Sequence, residues 1–277
     1  MNFKLPTNLG MLKYIFFPFQ WIWRSLFFLN AVITFFILFP FFFVFLSSRK
    51  WFPLVFKLKK VWGNLMMIPL GVFYSVERKS KLDKKRAYVF CPNHTSYLDI
   101  FLIYVTIPNY FHTMGKAELK KVPLFNKFFS RMNIPVDRKS LKDSHRAFVR
   151  AGDDLDKGIS VSLFPEGTIT HTAPIMARFK NGPFRLAIEK QVPVVPITFL
   201  NNWELLPDNF KSGKVGHPGI AHVIFHHPIE TTGMNQNDLQ SLKQKVYEVI
   251  NAPLEKKYPE YFIRAKENST MPVQDLA

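Results

Sequence analysis

The run Tyr88-Val89-Phe90-Cys91-Pro92-Asn93-His94-Thr95-Ser96-Tyr97-Leu98-Asp99-Ile100 places an imidazole and a carboxylate five residues apart. A carboxylate that accepts one ring N–H fixes the imidazole tautomer and leaves the other nitrogen free as a base. Such a dyad can deprotonate an alcohol as it attacks a carbonyl, a contribution of about 10²–10⁴-fold. On one continuous helix of ~3.6 residues per turn, His94 and Asp99 would diverge by about 140°. They meet only if His94 lies in a loop and Asp99 on the first helical turn. The β-rich residues up to Cys91, the punctuation at Pro92, and Thr95 or Ser96 as a cap predict that bend, with a helix from near Tyr97. Taken alone the pair is weak evidence, because His and Asp at such a spacing more often serve structure or surface.

Other reactive residues carry less. Cys91 is the single cysteine, so no intramolecular disulfide framework exists and most cysteine-based zinc sites are excluded. At the end of a β-rich run it reads as a buried strand residue and not as an acyl-carrying nucleophile. His222 and His226 would share one face of a strand, with His227 beside them, but no cysteine or carboxylate cluster completes a metal-ligand set. No metal or redox cofactor is expected.

The elements that must hold the dyad are legible after residue 80. Short β-rich runs at residues 87–91, 110–114, 160–164, 194–199 and 220–226 alternate with helical stretches at 142–157 and 183–190. Near the end, Leu239, Leu242, Val246 and Val249 recur at helical spacing. The alternation predicts an α/β fold: a mixed, largely parallel sheet flanked by helices. There is no internal repeat.

Before that point the chain is of another character. Residues 25–48 hold nine Phe and no charge. As a helix they would extend about 36 Å at ~1.5 Å per residue, against a hydrocarbon core of about 30 Å. Pro40 predicts a break or kink inside the stretch. Lys4, Lys13 and Arg24 precede it, and Arg49, Lys50, Lys57, Lys59 and Lys60 follow, so the positive-inside bias gives no orientation. A hairpin that dips in and returns would keep both basic flanks on one side, with Trp21, Trp23 and Trp51 at the interface; a single span is the alternative. Residues 61–76, interrupted by Gly63, Pro69 and Gly71, read as an interfacial or core-entry segment. The expected organisation is an N-terminal membrane-associated helical region over 1–60, an α/β domain over 61–265, and a flexible tail over 266–277. Lys and Arg exceed Asp and Glu by 37 to 20, a formal charge of +17. That excess suits an anionic partner: nucleic acid, an anionic lipid surface or a phosphorylated small molecule. No nucleic-acid motif is visible.

Four ordered blocks resemble the glycerolipid acyltransferase family, most of all the 1-acylglycerol-3-phosphate acyltransferases. Asn93-His94-x-x-x-x-Asp99 resembles the first motif. Lys116-x-x-Leu119-x-x-x-Pro123, ending at Val136-Asp137-Arg138, resembles the second; Phe164-Pro165-Glu166-Gly167-Thr168 the third; Val192-Pro193-Val194-Val195-Pro196-Ile197 the fourth. The similarity covers roughly residues 60–205. It implies acyl transfer from acyl-CoA or acyl-carrier protein to the hydroxyl of a lysophospholipid, with 1-acylglycerol 3-phosphate giving phosphatidic acid. His94 is then the base and Asp99 its support. Lys116, Arg138, Glu166, Gly167 and Thr168 belong to the acceptor site. Arg138 suits bidentate pairing with a phosphate and Lys116 adds positive charge. Glu166 accepts a glycerol hydroxyl or orients a base, and the Gly167 and Thr168 N–H groups face an anion in a turn. The fourth block reads as a buried strand shaping the pocket. The implied location is a membrane, the inner membrane in a bacterium, with the catalytic domain on the cytoplasmic side.

The chain departs from the family pattern in two places. Ile169 stands where the third block ordinarily has arginine, so Arg178 or Lys180 is the candidate substitute. That leaves open another acceptor, such as a lyso-aminolipid. Asn126 and Asn133 replace two glycines of the second block, where asparagine preserves turns of positive φ. A catalytically silent basic membrane- or nucleic-acid-binding protein is the remaining alternative, and the intact His94–Asp99 pair argues against it.

Overall fold

The computed structural model describes residues 7–117, 131, 133–137, 140–208 and 215–270. The chain begins with a long helix, α1 (Thr7–Phe45), reverses over residues 46–51, and returns along α2 (Phe52–Met67). A short 3₁₀ turn and Gly71, at φ 73°, lead into β1 (Val72–Arg78). Then come β2 (Val89–Pro92), α3 (Leu98–Thr106), β3 (Phe111–Lys116), β4 (Asn133–Val136), α4 (Leu141–Asp156) and β5 (Ser160–Ser162). The chain continues through α5 (Gly182–Lys190), β6 (Val194–Phe199), α6 (Asn202–Leu205), β7 (Gly219–Phe225), α7 (Leu239–Lys257) and α8 (Pro259–Thr270).

The strands form one seven-stranded sheet in the order β1-β7-β6-β2-β5-β3-β4. Every neighbouring pair is parallel except β6–β7. A parallel sheet needs cover on both faces, and alternation along the strands divides their side chains between two cores. Phe90 of β2 and Val195, Ile197 and Phe199 of β6 point into one core with α1, α2 and α3. Val89 and Cys91 of β2 and Val194 of β6 point into the other, with α4, α5 and α7. The central strands β2, β5 and β6 are buried throughout.

Helix α1 does not break at Pro40. It runs through Pro18 and Pro40 to Phe45. The stripe Phe27, Leu38, Phe42 and Leu46 lies on both sides of Pro40 and packs into the first core, so tertiary burial outweighs the lost helical hydrogen bond. The reversal expected near Pro40 falls at residues 46–51. Antiparallel contacts zip the two helices. The Trp23 indole donates to the Leu70 carbonyl at 2.9 Å, Asn30 to Leu65 at 2.9 Å, and Trp62 to Thr34 Oγ1 at 3.0 Å. Trp23, assigned to an interface by composition, is therefore tied to this junction.

Two strands lie where composition gave no separate signal. β1 occupies the end of the apolar run 61–76, and β4 is four residues inside the second block. Asn133 sits in β4, buried, and not in a positive-φ turn. Its Oδ1 accepts from Lys59 Nζ at 3.1 Å and from the Tyr104 hydroxyl at 3.0 Å, so it serves as a core acceptor. Asn126 lies outside the described residues. Helix α8 runs past Lys266, where composition predicts a loose tail, to Thr270.

Candidate active site

The loop between β2 and α3 carries His94. Asn93 fixes its start: the side chain donates to the Phe199 carbonyl at 3.1 Å and accepts the Phe199 N–H at 2.7 Å, joining the ends of β2 and β6. Ser96 fixes its end. Its hydroxyl donates to the Leu206 carbonyl at 2.5 Å and accepts the Leu98 N–H at 3.0 Å, at the start of α3. Asp99 lies in the first turn of that helix, where a carboxylate is favoured by the helix dipole.

Between those anchors the dyad closes. His94 Nδ1 is 2.9 Å from Asp99 Oδ2. The same oxygen accepts the Thr95 N–H at 2.6 Å and the Ser96 N–H at 2.9 Å, and Asn202 Nδ2 donates to Oδ1 at 2.6 Å. With Asp99 fully buried, these four donors match its charge and fix its orientation. Asp99 therefore holds Nδ1 as the protonated nitrogen, and Nε2 is left as a basic lone pair. The Phe164 ring stacks on the imidazole at 3.9 Å and 19°, and the side chain of His94 retains 11% exposure.

Glu166 closes the site from the other side. Its Oε1 accepts the His94 N–H at 2.7 Å and its Oε2 the Ala177 N–H at 2.7 Å. Burial pushes its carboxyl up to about 8, against the lowering by those two N–H groups. Both oxygens are thus engaged by backbone donors, so Glu166 braces the loop that holds His94. Gly167 adopts φ 78°, and its N–H donates to the Phe164 carbonyl at 3.0 Å, inside its own turn and not toward an anion. Thr168 is exposed. Lys180 crosses this turn: its N–H donates to the Pro165 carbonyl at 2.8 Å, and a Cβ on Gly167 would lie 3.2 Å from its Nζ. Arg178 is exposed nearby. Arg138 lies outside the described residues. Lys116 ends β3, its backbone paired with Val136.

Beside Phe164 and Gly167 opens a cavity of about 440 Å³, with Met114, Phe148 and Leu163 on its walls and Lys180 and Arg185 among its cationic lining. Cys91 faces the second core, and burial pushes its thiol up, so it holds no thiolate for nucleophilic work. The three histidines do not converge. His222 is exposed on β7, whereas His226 follows the strand and bonds Thr198 Oγ1 at 2.9 Å.

Nothing in the spacing along the chain singles out Asn202 or Phe164 for a role at the site. Phe164 was visible only as part of a block, and its stacking on His94 depends on where β5 ends relative to β2. Asn202 is 103 residues from Asp99. The one local sign is its place just past the fourth block, at the same sheet edge as His94.

A family model described as Acyltransferase matches residues 74–200, which include the dyad, Phe164 and Glu166. An uncharacterised acyltransferase of Schizosaccharomyces pombe is 30% identical over 199 residues, 70% of each chain. The chain belongs to the acyltransferase family. Two further relatives are covered over less of their length. A 1-acyl-sn-glycerol-3-phosphate acyltransferase of Cocos nucifera is 33% identical over 68% of this chain and 59% of its own. Its Saccharomyces cerevisiae counterpart is 28% identical over 66% of this chain and 60% of its own. The chain thus spans about three fifths of those two relatives. The crystal structure of a 1-acyl-sn-glycerophosphate acyltransferase from Thermotoga maritima has the same fold, with a TM-score of 0.68 at 24% identity, covering 86% of this chain and 97% of that one. A mostly parallel sheet flanked by helices, with an apolar helix before it, is the acyltransferase architecture expected from the sequence.

Proposed function

We propose that this acyltransferase moves a fatty acyl group from a thioester donor, acyl-CoA or acyl-carrier protein, to the free hydroxyl of 1-acylglycerol 3-phosphate, giving phosphatidic acid. The observation that carries the reading is the His94–Asp99 contact, with Asp99 held by four donors and the imidazole stacked on Phe164. Nε2 of His94 takes the proton of the hydroxyl while its oxygen attacks the thioester carbonyl carbon. The C–S bond then breaks, and the imidazolium returns the proton to the leaving thiolate, so ester and thiol balance acyl donor and alcohol. Asp99 stabilises the imidazolium formed midway. No electron carrier enters. Glu166 acts as a positioning residue. The cationic acceptor contacts fall to Arg138 and Lys116, with Lys180 over the Gly167 turn as the substitute for the arginine absent at Ile169.

The acceptor reaches the site from a membrane surface. On α1, Phe27, Leu38 and Phe42 are buried along one stripe that Leu46 continues into the reversal, and Ile22, Leu29, Ile33, Phe36 and Val44 are exposed opposite. The helix therefore lies lengthwise on the domain. A helix crossing the bilayer in that arrangement would carry the α/β domain into hydrocarbon. We therefore read α1 and α2 as an in-plane hairpin with its outer face in the acyl region of one leaflet, on the cytoplasmic side. Exposed Tyr97, whose ring meets Phe28 at 6.2 Å, continues that face to the His94 loop.

The test is product analysis by mass spectrometry with acyl-CoA and acyl-carrier-protein donors and a panel of lysolipids. Preference for lysophosphatidic acid supports the reading. Preference for a phosphate-free acceptor such as a lyso-aminolipid, which Ile169 motivates, would replace the acceptor and keep the chemistry. Transfer to none of them would remove both.

A further inference from the structure

A second cavity, of about 850 Å³, lies at the far end of the sheet from His94. The strands set that separation. His94 follows the C-terminal end of β2, whereas Tyr110 and His112, on the cavity wall, lie at the start of β3, and β2, β5 and β3 run parallel. One wall is the reversal and the start of α2, with Ser47, Arg49, Phe52 and Pro53; the other is the C-terminal end of α4, with Arg150, Asp153 and Asp154, and Lys157 just after it.

Four cations line this space, Arg49, Arg131, Arg150 and Lys157, against two carboxylates. Cations therefore outnumber carboxylates even with Asp154 counted, which is buried with its Oδ2 2.8 Å from His112 Nδ1. The other ring nitrogen of His112 is 3.1 Å from the Tyr110 hydroxyl. Arg131 donates to the Leu46 carbonyl at the end of α1 and so pins the reversal. No carboxylate among the described residues forms an ion pair with Arg49, Arg150 or Lys157. The site is therefore a walled, net-positive recess that a phosphate would complete.

We propose that this recess binds the phosphate headgroup of an anionic phospholipid of the surrounding leaflet, distinct from the lipid being acylated. A lipid is favoured over free phosphate by place and size. One wall is the turn of a hairpin whose outer face is apolar, with Trp51 exposed beside it, and the recess is far larger than one phosphate. The bound headgroup bridges the hairpin turn to α4 and fixes the tilt of the α/β domain on the leaflet. This inference rests on the interfacial reading of α1 and α2.

The experiment compares the whole protein with Arg150→Gln/Lys157→Gln and with Lys50→Gln/Lys57→Gln. The second pair removes the same charge from exposed hairpin positions outside the recess. Partition onto phosphatidylcholine vesicles tests the hairpin alone, and failure there by every form would sink the interfacial reading first. Native mass spectrometry with dihexanoylphosphatidylglycerol, below its micelle concentration, counts bound lipid. The recess variant is expected to hold one molecule fewer than wild type and to lose roughly 30-fold in affinity for phosphatidylglycerol-containing vesicles, at about 1 kcal/mol per cation. Turnover on micellar substrate is expected unchanged. Lys50→Gln/Lys57→Gln should keep the full lipid count, and inorganic phosphate should not displace the lipid. Equal loss of lipid in both variants, an unchanged count in the recess variant, or displacement by inorganic phosphate would each overturn the proposal.

Discussion

Replacing Asp99 with Asn separates the charge of the carboxylate from its geometry. Asp99 Oδ2 accepts from His94 Nδ1, Thr95 N and Ser96 N, so an amide at this position must turn its carbonyl oxygen to the same three donors. Its NH₂ then faces Asn202 Nδ2, a clash of donors. Asn202 can relieve it by turning its own amide, since its Oδ1 is buried without a hydrogen-bond partner among the described residues. The variant should therefore fold and keep Nδ1 as the protonated nitrogen. What it loses is the charge that stabilises the imidazolium. A hydrogen bond to a charged group contributes about 1.5–3 kcal/mol, so turnover should fall roughly 10- to 150-fold. The assay is kcat/KM for labelled acyl transfer to lysophosphatidic acid, with circular dichroism as the folding control. Unchanged turnover would refute the role of the charge. A loss as complete as that of His94→Ala would refute the claim that Thr95 and Ser96 hold the orientation.

Asn202→Ala leaves Asp99 Oδ1 buried without its donor, and chemical denaturation should show a loss of about 1–3 kcal/mol. Gly167→Ala puts a Cβ at φ 78° and about 3.0 Å from the Lys180 side chain, and thermal melting should register both strain and a displaced Lys180. Glu166, raised from 4.5 to about 8 by burial, makes its contribution to stability fully present below pH 4.5 and lost as pH rises through 8. Glu166→Gln should therefore lack the fall in melting temperature that wild type shows across that window. Lys59, lowered by burial from 10.5 to about 7, works in the opposite sense, because the unfolded chain binds the extra proton between those values. Stability should rise with pH from 7 to 10.5, and Lys59→Met should remove that rise.

The bend that brings His94 to Asp99 was legible because each part is local: a β-rich run, a proline, a loop, a hydroxyl and a helical turn. The buried central strands β2 and β6 were legible too, since both carry apolar residues on both faces. β1 was hidden because Val72–Arg78 continues an apolar run without punctuation beyond Gly71. β4 was hidden because four residues are too few to show a period. Pro40 predicted a break from backbone chemistry alone, whereas the stripe that overrides it depends on α2 folding back. Asn202, Phe164 and the grip of Glu166 on the His94 N–H are tertiary facts. Each joins loops at the ends of different strands, and no spacing along the chain encodes their meeting.

The most direct measurement is labelled acyl transfer by purified His94→Ala, with its fold verified by circular dichroism and its lipid partition unchanged. Turnover should fall by at least about 10²-fold, the lower bound for loss of a general base, with little change in vesicle binding. Turnover equal to that of wild type would contradict the assignment of His94 as the base.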